Sequence, residues 1–165
     1  MRVVRILIII AILLNGCGLY NNGYKPTALL EKKINQSRKA QIIKNGKTEI
    51  VAIATYLNSV DARIYRKERE YFFIEIFSEL DIPLMESLRF SLTDNVDFIW
   101  IREVKADEMS DESVISTYNR WGRGFLIAFD ELDYQQKKNM KLTLEVENVG
   151  TMIFDFSYKV LEMQL

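Results

Sequence analysis

Histidine is missing from all 165 residues. That excludes every Ser-His-Asp and Cys-His arrangement and every metal site built on imidazole. Cysteine occurs once, which excludes an intrachain disulfide framework and any multi-cysteine zinc or iron–sulfur site. Proline occurs twice and glycine seven times, and the chain shows neither an internal repeat nor a low-complexity tract. The net charge is only −1. What is present is an apolar fraction of 48%, enough for one packed core. The length suits one ordinary domain with an additional arm.

The longest wholly apolar run comes first. Arg2 and Arg5 precede nine apolar residues, Ile6 to Leu14. As a helix that run would rise roughly 14 Å, about half of a hydrocarbon core of ~30 Å. A basic start, a short apolar stretch and a small residue before a cleavage point form the pattern of a secretory signal. The run ends in Leu14-Asn15-Gly16-Cys17, which contains the sole cysteine.

This segment resembles the lipobox of bacterial lipoprotein precursors, with leucine at −3, a small residue at −1 and cysteine at +1. Asn15 departs from the family at −2, where a smaller or less polar residue is usual. The resemblance covers only about the first eighteen residues. It implies cleavage between Gly16 and Cys17, a diacylglycerol thioether on Cys17 and acylation of the new amine. Two or three acyl chains hold a protein stably on a bilayer, where one gives marginal binding. Gly18 stands where an aspartate would favour inner-membrane retention, so the resemblance implies the periplasmic face of an outer membrane in a two-membraned cell. No other cofactor is expected.

Residues 17–26 read as a tether and 27–46 as a basic helical arm. Thr27 suits an N-cap, helix formers follow, and Asn45-Gly46 suits a stop, so a helix is expected over 28–44. From Lys25 to Lys47 there are seven bases and one acid, a net +6. From Thr48 onward there are 13 bases and 22 acids, a net −9. The small whole-chain charge hides a basic arm and an acidic body. Lys32, Lys33, Arg38 and Lys39 are the candidates for contact with anionic headgroups; the alternatives are docking of the arm on the acidic body of its own chain and a solvated helix without a partner. Nucleic acid is a poor partner for an exported, lipid-anchored protein.

The body, 47–165, is read as all-β. Strands are expected over 48–57, 70–77, 87–93, 96–104, 124–129 and 141–147, with a seventh after the turn at 148–150. Seven strands without a long helix between them suggest an immunoglobulin-like antiparallel sandwich. The alternative is an α+β fold with the helix packed on one open sheet.

Few residues in the body suggest chemistry. Asp107, Glu108, Asp111 and Glu112 form an acidic loop that lacks the oxygen spacing and glycine turn of a calcium hand. Arg120, Trp121 and Arg123 combine a flat apolar plate with two planar donors, a set suited to a partner surface. No spacing singles out a carboxylate pair for glycoside hydrolysis. The expectation is a lipid-anchored, non-catalytic binding or accessory module of an envelope assembly, with an envelope protein as partner. The alternatives are an envelope glycan- or peptide-acting enzyme using carboxylates, and a small-ligand or lipid carrier.

Overall fold

The computed structural model describes residues 27–61, 63, 65, 68–80, 84–105, 108, 115 and 122–157. Gly16, Cys17, Arg120 and Trp121 lie outside them, as do Asp107, Asp111 and Glu112.

Thr27 caps helix α1 (Ala28–Asn35), its side chain accepting from the Leu30 amide. The helix expected over 28–44 stops there, and Ser37–Lys44 is strand β1. Tertiary pairing overrides the helix formers. β1 lies antiparallel to β2 (Lys47–Tyr56), from Ser37 opposite Thr55 to Lys44 opposite Lys47. Asn45 and Gly46 have φ of 50° and 76°, the left-handed pair of a type I′ hairpin turn. They turn the chain between two strands rather than ending a helix.

The remaining strands are β3 (Arg69–Ser78), β4 (Leu88–Leu92), β5 (Val96–Val104), β6 (Arg123–Asp130), β7 (Lys141–Val146) and β8 (Gly150–Asp155). Single helical turns, α2 (Leu57–Val60) and α3 (Leu84–Ser87), and the slightly longer α4 (Tyr134–Lys138) join them. The strand order is β1-β2-β3-β6-β5-β4-β7-β8, antiparallel throughout.

The all-β reading therefore holds. Among the described residues the strands number eight rather than seven, because the basic arm contributes β1. They follow one another in a single sheet that curls nearly closed, in place of the two separate sheets of an immunoglobulin-like sandwich. Side chains join its two edges. Arg38 Nε donates to the Asp155 carbonyl at 2.9 Å, and Lys44 Nζ to the Asn148 carbonyl at 3.4 Å. A Cβ added to Gly150 would lie 3.3 Å from two Ile42 methyl carbons, so the edges press together there.

The curl encloses the main core. Ile50, Ala52 and Ala54 of β2 meet Phe72, Ile74 and Ile76 of β3, Phe129 of β6 and Phe154 of β8, all buried. Phe72 and Phe129 meet edge to face at 5.8 Å. A second cluster (Leu57, Val60, Phe73, Val104 and Leu126) lies on the outside of the sheet, with Leu29 of α1 packed against it. β3 and β6 thus bury both faces, which is why their sequences read as near-continuous apolar runs. No helix among the described residues is long and apolar enough to cross a membrane.

Candidate functional site

Alternation along β3 sends Glu70 inward in the same row as Phe72, Ile74 and Ile76. It is 0% exposed. A carboxylate in that position needs partners for both oxygens. Its Oε2 accepts from the Tyr56 hydroxyl at 2.6 Å. Its Oε1 accepts from the Leu132 amide at 3.2 Å and pairs with Lys137 Nζ at 2.9 Å. Lys137 reaches it because α4 begins with a capping box: Asp133 accepts from the Gln136 amide while Gln136 accepts from the Asp133 amide. One carboxylate thereby ties the end of β2, the start of β3 and the link from β6 to α4.

The charges in this knot are settled by those contacts. Burial, then the bond to Glu70, pushes the Tyr56 hydroxyl far above its ordinary range, so it remains a donor. Burial pulls Lys137 down, but its bonds to Glu70 and Glu131 outweigh this and hold it above the usual lysine value. Both Glu70 oxygens are occupied, so this side chain acts as a structural strut.

Above the knot lies a cleft of about 500 Å³. Tyr56, Met140 and Phe156 form its apolar wall. Arg38, Lys137 and Lys138 supply charge, and Gln36, Ser59, Ser157 and Tyr134 complete the lining. None of these ten residues is acidic. Arg38 is fixed by Nε on the Asp155 carbonyl and Nη1 on the carbonyls of Asn35 and Ser37, and its guanidinium lies 5.5 Å from the Phe156 ring centroid. Carbonyls orient the guanidinium without neutralising it. Among the described residues no carboxylate pairs with Arg38 or Lys138.

Neighbouring hollows differ in charge. One of about 670 Å³ shares Tyr56, Ser59, Tyr134 and Lys137 with the cleft but adds Glu131 and Asp133. Another of about 450 Å³, outside β4, β5 and β7, sets Arg89 against Asp97, Glu145 and Glu147. The cleft beside Arg38 is cationic on a body whose sequence is acidic.

The four bases of the arm do not share one surface. Lys33 is 4% exposed, its amine 5.5 Å from the Phe73 ring centroid. Burial lowers its pKa, and Glu75 opposes that. Glu75, 3% exposed on the same outer face of β3, is raised by burial and pulled back by Lys33. Lys33 is thus part of the seam that docks α1. Arg38 and Lys39 are adjacent in β1 and project to opposite faces, leaving Lys32 and Lys39 exposed and away from the cleft row.

Arg123 is committed too. Its Nε and Nη2 grip the Glu103 carboxylate at 2.7 and 2.8 Å, and it lies 5.5 Å from the Phe125 ring centroid. Glu108 of the acidic loop accepts from Arg102 at 2.8 Å and from the Lys105 amide at 3.1 Å. No cluster of three or more potential metal ligands occurs among the described residues.

Sequence reasoning passed over Tyr56, Glu70, Lys137 and Lys138. Glu70 carried a usable signal, a charged residue in the inward row of an aromatic strand. Lys137 and Lys138 carried none, since only folding brings them to Arg38. No family model, no curated protein and no solved structure matches the chain.

Proposed function

We propose that the chain is a lipid-anchored, non-catalytic binding module of a bacterial cell envelope. The carrying observation is the sole cysteine, Cys17, placed three residues after Leu14 and directly after Gly16 at the end of a short apolar run. Signal cleavage before Cys17 and acylation there leave residues 17–165 held on a membrane, on the periplasmic face of the outer membrane where a cell has two. Ten peptide steps from Cys17 to Thr27 keep α1 within about 35 Å of the anchor. Several features support binding over catalysis. The main core is packed with aliphatic and aromatic side chains, the buried Glu70 has both oxygens bound, and the cleft beside Arg38 offers fixed charge.

The reading predicts that Cys17→Ser abolishes incorporation of a fatty-acid probe and leaves the precursor uncleaved. Labelling and processing of that variant at the parent level would overturn it. Mild crosslinking on intact membranes, followed by capture, tests for an envelope protein partner. Nucleic acid is not among the proposed partners.

A further inference from the structure

We infer that the cleft between Arg38 and Lys138 binds a phosphate group carried on a partly apolar body. This deepens the binding-module reading and does not depend on lipidation of Cys17. Three observations converge. The cleft has three bases and no acidic residue in its lining. Arg38 is held by three of its five donors on backbone carbonyls, at 2.9 to 3.0 Å, so its guanidinium is pre-aimed while both Nη2 hydrogens remain uncommitted among the described residues. The cleft also has apolar lining, made by Tyr56, Met140 and Phe156.

The chemistry selects the ligand. The free Nη2 group donates charge-assisted hydrogen bonds to a phosphate oxygen, and a flexible ammonium such as Lys138 adds a point charge. Preorganisation matters because the side chain gives up little further entropy when the ligand arrives. A bare phosphate ion would leave the half-buried Tyr56 ring and the exposed Tyr134 ring uncovered. A cleft of about 500 Å³ holds a phosphate with a glycerol, sugar or short acyl portion. Lys137 contributes field but little direct bonding, since Glu70 and Glu131 already hold its amine at 2.9 and 3.6 Å.

Two sources share this chemistry, an anionic phospholipid headgroup and a soluble glycerol or sugar phosphate. The full chain in neutral detergent micelles is titrated by calorimetry with dioctanoyl phosphatidylglycerol, dioctanoyl phosphatidylcholine and glycerol 3-phosphate. Saturable binding of phosphatidylglycerol, with phosphatidylcholine at least tenfold weaker, is expected and assigns the lipid source. Saturable glycerol 3-phosphate binding of equal or greater strength assigns the soluble one. Lys138→Glu should weaken binding about tenfold, and Arg38→Lys, which keeps the charge and loses the carbonyl-fixed guanidinium, should weaken it several-fold. Lys32→Glu with Lys39→Glu, on exposed bases outside the cleft, should leave it unchanged.

Absence of saturable binding in both anionic arms overturns the inference. So does an equal loss from the Lys32 and Lys39 changes, which would mean diffuse surface charge. In either event fatty-acid labelling at Cys17 is unaffected, so failure here is distinguishable from failure of the lipoprotein reading.

Discussion

Replacing Glu70 separates the worth of a buried charge from the worth of the hydrogen bonds around it. Glu70→Ala strips the acceptor from the Tyr56 hydroxyl at 2.6 Å and the Leu132 amide at 3.2 Å. Each buried donor left without a partner costs about 1–3 kcal/mol. Lys137 adds less, because its side chain is 35% exposed and keeps Glu131 at 3.6 Å. The total expected for alanine is about 3–5 kcal/mol, the range for breaking a buried pair from one side. Glu70→Gln has the same shape. Its amide oxygen takes the Leu132 amide and Lys137, and its amide nitrogen faces Tyr56, whose hydroxyl rotates to accept. The Tyr56 hydrogen turns towards the open cleft and water, so the loss is mainly charge assistance, about 1–2 kcal/mol. In a urea titration followed by near-UV circular dichroism, with a slope of about 2 kcal/mol/M, alanine lowers the midpoint by about 2 M and glutamine by less than about 1 M. Equal shifts for the two variants, or an alanine shift below about 0.5 M, would refute the strut.

The hairpin and the α1 seam give two further tests. Gly46 has a φ of 76° with nothing within 4 Å of a Cβ built there, so strain alone governs substitution. Gly46→Val should cost about 1–2 kcal/mol and Gly46→Asn far less, read as melting temperatures; similar values for the two would remove the type I′ argument. Burial holds Glu75 above the ordinary carboxylate range, with Lys33 opposing. The folded state therefore binds that proton more tightly than the unfolded chain, and the stability it supplies is lost as pH rises through the raised value. Glu75→Gln should gain on the parent as pH goes from about 4 to 7, measured by urea midpoints. Parallel profiles would show that Glu75 does not titrate differently on folding.

Much of the fold was legible because strands of period two announce which residues face inward. Leu142, Leu144 and Val146 alternate against Met152 and Phe154, and that hairpin formed in register, Lys141 opposite Asp155. β1 was illegible for a specific reason. Its residues are good helix formers, and Asn-Gly serves equally as a helix stop and as a type I′ turn. Only the partner strand decides between them. Charge was legible as a sum but not as a surface, since strand alternation and burial scattered Lys33, Arg38 and Lys39 to different environments.

By itself the sequence determined what depends on neighbours along the chain: the apolar run closing at Cys17, the strand periodicities, the turns, and the absence of histidine chemistry. The tertiary structure alone decided what depends on residues far apart. Arg38 and Lys138 stand a hundred residues apart in sequence and line one cleft. Glu70 is tolerable in the core only because Tyr56, Leu132 and Lys137 converge on it. Local propensity acts over a few residues, whereas the pairing and desolvation that fix these positions exist only once the sheet has curled on itself.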